Sequence, residues 1–336
     1  MKTINKDLIQ VGVDDGYAMT KVAFSLPNGQ VHLLKIPSRA RAGSHGISSI
    51  GAKANEIDGS YITDDVEFVV ADDIDGEGTR FDDYPFSSLN RVIIHHALRL
   101  AGLAGKSIKI GTGLPVAHYF SGPGGKPNMT IINKKNNNLM LPVKSLSGPS
   151  CAEIVSPHVL AEGVAAWVDY LVDNKGNITS NPTNPAAIID IGGRTTDCVT
   201  VLPGWKVDNK RSGTANIGVL NLMESITERV AAKFDLMDLR QSTLDNCLTT
   251  RKVRLWNKEH DITDIITTAK KEIGDQIHRE IQRQIGRGHE FEKVLFVGGG
   301  AVVFDMIQKY YPNAAMPKDP EFANARGILK YITHVL

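Results

Sequence analysis

Residues 188–201 read IIDIGGRTTDCVTV: an apolar run carries Asp190 near its end, Gly192 and Gly193 follow, then Arg194, Thr195 and Thr196, then a second apolar run. Residues 11–24, VGVDDGYAMTKVAF, have nearly the same layout, with Asp14, Asp15 and Gly16 at the turn. Short apolar runs broken by glycine and hydroxyl residues read as two strands joined by a tight turn. Either stretch alone is an ordinary hairpin with a turn aspartate. Their repetition in matching context makes Asp14 and Asp190 the heads of equivalent turns, which implies two duplicated lobes facing each other across a pseudo-twofold axis.

Working outward, the first half continues as a meander. Residues 20–26 form the return strand, Asn28-Gly29 is a two-residue hairpin signal, and Val31, Leu33 and Ile36 follow. Residues 37–86 are rich in glycine and aspartate, with one strand-like run, EFVVA, and read as a small inserted subdomain. SLNRVIIHHALRLAGLAG has Ser87 or Ser88 as N-cap, apolar Val92, Ile93, Ala97, Leu98 and Leu100, and Gly102 or Gly105 at its exit, which is the punctuation of an amphipathic helix. The strand SIKIGTGLP follows, then an exposed glycine-, lysine- and asparagine-rich loop at 121–138, then a helix SPHVLAEGVAAWVDYLV with Pro157 in its first turn.

The second half repeats the plan. The strand 187–191, the turn and the return strand CVTVLP lead to GWKVDNKR as a third strand and to the helix NIGVLNLMESITERVAAKF, with Ile217, Leu220, Ile226 and Val230 largely on one face. Residues 235–263 read as an irregular insertion. Ile265, Ala269, Ile273, Ile277, Ile281 and Ile285 then recur at intervals of four, the mark of a long helix. The strand KVLFV, the glycines Gly298, Gly299 and Gly300, and a helix from Ala301 complete the order. Both halves read strand, turn, strand, strand, helix, strand, helix, so the expected class is α/β with two lobes and a cleft between them.

Composition narrows the function. The chain of 336 residues exceeds the size at which one core keeps growing, and its 42% hydrophobic and 22% charged content is that of an ordinary globular protein. With 38 basic against 37 acidic residues the net charge is +1, which argues against direct DNA binding, since phosphate neutralisation calls for a basic excess. Cys151, Cys198 and Cys247 are widely spaced and odd in number, which suits small core residues in a reducing compartment. MKTINKDLIQ has neither an uninterrupted apolar segment nor a small-residue cleavage site, and no apolar run approaches the ~20 residues that span a bilayer. The expected location is the cytoplasm, away from membranes.

Turns rich in glycine and hydroxyl residues present successive backbone N–H groups to anionic oxygens, and two of them from opposing lobes could clasp one polyphosphate. A carboxylate at each strand end would repel phosphate unless a cation intervened. Mg2+ is the natural intermediary, because it keeps several waters and is held through one or two carboxylates plus substrate phosphates; Asp14 and Asp190 would orient those waters. In VLFVGGGAVVF the three glycines between a strand and a helix allow a flat ligand to approach the backbone, although close helix–strand packing explains them equally well.

These residues resemble the actin and sugar-kinase ATPase superfamily and, more narrowly, the ParM family of plasmid-segregating bacterial actins. The marks are VDDG at 13–16, VIIHHALRLAGL at 92–103, GLPVAHYF at 113–120 with the lysine-rich KPN…KK after it, IIDIGGRTTD and VLFVGGGA, in the expected order over almost the whole chain. The resemblance implies a duplicated, actin-like (ribonuclease H-like), two-lobed ATPase fold with nucleotide in the interlobe cleft. Domain I would comprise 1–165 and 315–336, with an inserted subdomain at about 37–86, and domain II would comprise 166–314, with an insertion at about 235–263. It also implies ATP, or GTP, with Mg2+; self-assembly into a helical filament; and a DNA-bound adaptor of the ParR type that carries the plasmid.

Carried over by motif, Asp14, Asp15 and Gly16 belong to the first phosphate hairpin, and Asp190, Gly192, Gly193, Arg194, Thr195 and Thr196 to the second. Gly298, Gly299 and Gly300 border the adenosine, and Lys271 with Glu272 would reach the ribose or base, unless that pair is a solvated helical face. The family's water-orienting glutamate follows a proline, and here Pro157-His158 takes that place, with Gly163 matching a downstream glycine. His158 would then polarise the water, or Glu153 or Glu162 would under a shifted register. Arg194 stands where the family pattern has a small hydroxyl residue, and would stabilise transferred charge or neutralise the second hairpin. The pair His95-His96 is a family mark to which no chemistry is assigned. The rivals on the same scaffold are a small-molecule kinase, which needs a catalytic carboxylate that the acidic stretch 72–83 could offer, and a nucleotide-regulated chaperone resembling heat-shock proteins, which normally carries a further peptide-binding domain.

Overall fold

The structure is a computed structural model that describes residues 8–26, 29–43, 59–71, 74, 76–237 and 239–336. Strand β1 (Ile9–Asp15) is buried from Val11 onward, as befits a strand in the middle of a sheet covered on both faces. β2 (Met19–Ser25) returns antiparallel and β3 (Val31–Pro37) completes the meander. Of the hairpin signal between them, Asn28 lies outside the described residues, while Gly29 takes the left-handed φ of 79° that such turns require. β4 (Ala40–Ala42), β5 (Ser60–Thr63) and β6 (Val66–Val70) belong to a small separate sheet within the stretch 37–86.

Helix α1 (Ser88–Leu100) is capped by Ser87, whose side chain accepts the Asn90 N–H. Both of its histidines are buried: His96 Nδ1 and the Tyr61 hydroxyl share a hydrogen bond of 2.9 Å, and burial, aided by Arg91, pushes His95 down to about 4. β7 (Ser107–Leu114) runs parallel to β1, and α2 (Val116–Tyr119) is a single turn.

Two expectations fail in the next stretch. Residues 129–138, read as part of the exposed loop at 121–138, fall in α3 (Met129–Met140), capped by the Asn128 side chain. Its inward positions are Ile132, Lys135 and Leu139, so a buried lysine interrupts the apolar stripe and hides the helix from a hydrophobicity reading. After β8 (Lys144–Ser145), which joins the small sheet beside β5, residues read as one helix divide into strand β9 (Glu153–Ala161) and helix α4 (Val164–Leu171), with Gly163 at φ 75° between them. Pro157 sits inside β9, where it is tolerated because β9 is the sheet's edge and needs no ladder donor on its outer side.

In the second lobe β10 (Ala186–Ile191), β11 (Thr196–Leu202) and the short β12 (Lys206–Val207) form the matching meander, with β13 (Gly213–Ala215) beside β11. Helix α5 (Val219–Phe234) follows. The insertion is more regular than expected: α6 (Cys247–Thr250) leads into a hairpin of β14 (Lys252–Leu255) and β15 (Lys258–Asp261). Trp256 and Asn257 make its turn with φ of 47° and 61°, a two-residue loop whose signal is weak because only the asparagine favours that conformation. The long helix appears as α7 (Thr263–Ile285), followed by β16 (Lys293–Val297), the five-residue α8 (Gly299–Val303), β17 (Ala314–Ala315) and α9 (Ala323–His334).

The duplication is visible in the strand orders, β3-β2-β1-β7-β9 in one sheet and β12-β11-β10-β16-β17 in the other. In each, the first strand pairs antiparallel with the second and parallel with the fourth. The molecule has two lobes built on the same plan. Helix α9 returns from the second lobe to lie on β1 and β7 and against α4, and its approach is close enough to demand glycine. A Cβ on Gly327 would come within 1.7 Å of the Ala165 carbonyl oxygen, and one on Gly12 within 2.1 Å of that of Ala325. Gly327→Ala is expected to cost at least about 1–3 kcal/mol, read as a lowered melting temperature; an unchanged melt would show that α9 does not pack this tightly.

Candidate functional site

The two hairpins face each other across a cleft with a cavity of about 470 Å³. Strand register decides what each presents. Asp14 stands directly opposite Lys21 on β2, and the two form an ion pair of 3.0 Å. At the equivalent place in the second lobe Asp190 stands opposite Asp197 on β11, so like charge meets like charge. Asp15, next along β1, faces the other way: its Oδ2 accepts from Asn90 of α1 at 2.8 Å and from Lys135 of α3 at 2.5 Å, while its Oδ1 has no hydrogen-bond partner among the described residues.

The turns are shaped by close approaches. A Cβ on Gly193 would lie 2.5 Å from the Ala18 Cβ, so the tips of the two hairpins touch. The carbonyls of Gly192 and Gly193 accept the Val219 and Leu220 N–H groups at 3.1 and 2.8 Å, which satisfies the first turn of α5 and fixes the second hairpin. Gly298, at φ 82°, and Gly300 pack onto the end of β10, where a Cβ would lie 2.4 Å from Asp190 Oδ1 and 2.3 Å from Ile191 Cγ2. A Cβ on Gly299 would meet only the Glu321 Cβ, at 3.9 Å, so close packing accounts for two of the three glycines and not for the third.

Glu162 follows β9 and lines the same cavity, held there as its backbone N–H donates to Leu114 at 2.8 Å. Gly113 leaves it room, since a Cβ there would come within 2.8 Å of the Glu162 carboxyl. Burial, then Asp14, Asp197 and Asp190, raise the Glu162 carboxyl well above its ordinary value. Burial and then Asp14 and Asp197 push Asp190 up to about 7, against which Asn324 donates to its Oδ2 at 2.5 Å. Asp197 rises to about 6 through burial, although Thr214, Thr195 and the Val116 N–H all donate to it. For Lys21 burial pulls downward, but attraction and hydrogen bonding by Asp14 outweigh it and the ammonium is raised.

Several sequence-derived site residues lie elsewhere. His158 is in the body of β9 opposite Gly111, bonded to Ser156 at 3.0 Å, and Glu153 is exposed at the start of that strand, accepting from Ser107 at 2.9 Å; neither lines the cleft. The Pro157-His158 register fails because the segment is strand where helix was expected, and Glu162, its shifted-register alternative, reaches the cavity. Arg194 turns away from the cleft to pair with Asp82 at 2.6 Å, its guanidinium 5.0 Å from the centre of the Tyr17 ring. The Thr196 hydroxyl donates to the Ile217 carbonyl at 2.8 Å and braces the entry to α5. Lys271 and Glu272 are exposed on α7, with Glu272 paired to Arg229 at 2.6 Å. Asp14, Asp15, Gly16, Asp190, Gly192, Gly193, Thr195, Gly298, Gly299 and Gly300 do line the cavity.

The sequence reading missed Lys21 and Asp197, although each stands seven residues after Asp14 and Asp190 respectively, a spacing that a matched hairpin register would have exposed. Lys135 was hidden in a helix taken for a loop, and Asn324, 134 residues from Asp190, has no local signal. Among the described residues no group of three His, Cys, Asp or Glu could enclose a metal ion. Asp14 and Asp190, one carboxylate from each hairpin, both line the cavity, a donor set that suits Mg2+ held through water.

Family models match on both sides of this site. Residues 9–173 match the N-terminal model of plasmid segregation protein ParM, and residues 188–308 match the C-terminal model of the archaeal MreB-like actin homologue. A search of curated proteins gave no match. Among solved structures, an archaeal actin homologue in complex with ADP is 20% identical with a TM-score of 0.75, covering 97% of this chain and 99% of its own. A 15-stranded ParM filament from Clostridium botulinum is 19% identical with a TM-score of 0.74 and coverage of 97% and 99%. Bacillus thuringiensis ParM with ADP is 16% identical with a TM-score of 0.69 and coverage of 98% and 99%.

The raised acids make the ligand-free protein pH-sensitive. Asp190 and Asp197 have ordinary values of 3.8, so between 3.8 and about 7 the folded state binds more protons than the unfolded state. Their contribution to stability therefore falls as pH rises through that window and levels off above it. Asp190→Asn is expected to flatten this slope by up to about 1.4 kcal/mol per pH unit. Melts at pH 5, 6, 7 and 8 that show the same slope in both proteins would remove Asp190 from the buried acidic cluster.

Proposed function

Because the chain is an actin-like protein of the ParM type, we propose that its cleft binds Mg2+ with ATP, or GTP, hydrolyses the nucleotide, and uses it to drive assembly into a filament. The filament would segregate plasmid DNA through a DNA-bound adaptor of the ParR type. One observation carries this reading: two glycine-rich hairpins in matched register, with Asp14 and Asp190 at their heads, close on a single cavity. ADP in the archaeal actin homologue and the filament of the Clostridium botulinum ParM support it by fold analogy.

Within this reading the first hairpin and Gly192, Gly193 and Thr195 of the second cradle the phosphates, with Lys21 as the cation beside them. Gly299 gives the nucleoside its approach. Asp14 and Asp190 would hold Mg2+ through water, and the ion would supply charge neutralisation for the phosphates. Glu162 is the group placed to orient and deprotonate the attacking water, since it lies on the cavity wall and its raised affinity for protons suits a base. ATP favours assembly only as far as it binds the assembled state more tightly than the free subunit.

Right-angle light scattering with Mg2+ and ATP, in parallel with phosphate release, tests the whole. Scattering should rise above a critical concentration and decay as ATP is consumed; flat scattering beside turnover would leave an ATPase without a filament. Glu162→Gln is expected to slow phosphate release by about 10²–10⁴-fold while keeping nucleotide binding. Asp190→Ala should abolish Mg2+-dependent release, whereas His158→Ala should retain nearly all of it. A large loss with His158→Ala and none with Glu162→Gln would return the role to the histidine.

A further inference from the structure

The hairpin tips meet at Gly193 and Ala18 on one side of the cavity. Two ion pairs border the cavity, and each includes at least one residue that lines it. Lys35 pairs with Glu321 at 3.4 Å, and both line it. Arg39, just before β4, grips Asp245 of the second-lobe insertion with both Nη atoms, one bond being 2.9 Å, and Asp245 lines the cavity directly.

The two pairs differ in strength. Lys35 is well exposed and its contact is long, the kind of surface pair that contributes little. The Arg39 side chain is only 11% exposed and makes a two-pronged contact, the geometry in which arginine and carboxylate bind best. Arg39 is also backed by close packing: a Cβ on Gly76 would sit 3.1 Å from the Arg39 Cα. The Glu77 N–H donates to the Ala40 carbonyl at 2.8 Å, which ties the residue after Arg39 to the same strap. The arginine is thus held on the first lobe while its partner comes from the insertion of the second.

We propose that Arg39 and Asp245 form a latch across the mouth of the cleft that sets the rate at which bound nucleotide leaves. It rests on the reading that nucleotide occupies the cavity. Nucleotide can leave only after the lobes separate at this rim, and separation breaks the pair. The latch opposes opening without touching the hairpins or Glu162, so it slows release and leaves the hydrolytic step to other residues. Because the pair is ionic, salt weakens it and hastens release.

The test is a stopped-flow chase of a fluorescent ATP analogue from the full chain with Mg2+, at 50 and 500 mM salt. The wild type should release slowly and faster at high salt. Arg39→Ala and the near-isosteric Asp245→Asn should each speed release roughly tenfold at low salt and lose much of the salt dependence. The charge-swapped double variant Arg39→Asp with Asp245→Arg should restore slow release. Tight binding with wild-type release rates in both single variants overturns the latch and leaves the nucleotide site standing. Failure of the wild type to bind the analogue overturns both.

Discussion

Everything in the cleft answers to one constraint: Asp14, Asp190, Asp197 and Glu162 share a buried cavity, where like charges cannot all ionise at little cost. The protein offsets part of this with Lys21 on Asp14 and with neutral donors, Asn324 on Asp190 and two threonines with a backbone N–H on Asp197. The remainder stays as raised proton affinity. On the function proposed above, a multivalent cation with a polyphosphate would relieve this cost.

The same constraint reaches outward through the supports of each carboxylate. Asp15 is held by α1 and α3, through Asn90 and the fully buried Lys135, and removing one member of such a pair costs about 3–5 kcal/mol because the other charge is stranded. Asp190 is held by α9, whose Asn324 also accepts the Gly163 N–H at 3.0 Å and so fixes the turn that follows Glu162. One side chain at the start of a helix that belongs to neither hairpin thereby couples the second phosphate turn to the acid opposite it.

The hairpins, the duplication and the long helix α7 were legible in the sequence because each has a short-range cause: apolar runs split by glycine, and isoleucines returning every fourth residue. Helix α3 and strand β9 were not legible, for opposite reasons. In α3 a long-range charge, Asp15, takes the place of an apolar partner at Lys135, so local hydrophobicity understates the helix. In β9 the apolar content suits helix and strand alike, and only pairing with β7 decides between them. The same ambiguity hid that His158 lies in the body of β9 while Glu162, just after it, lines the cavity.

By itself, then, the sequence determined two glycine-containing hairpins in matched halves and the order of most elements around them, since these depend on neighbours a few residues apart. Tertiary structure alone decided which carboxylates share the cavity, that Arg194 leaves it for Asp82, and that Lys135 and Asn324 brace the aspartates. Those outcomes depend on register and on chain segments up to 134 residues apart, where electrostatic energy is set by distance in space and burial, and neither is written in the spacing of residues along the chain.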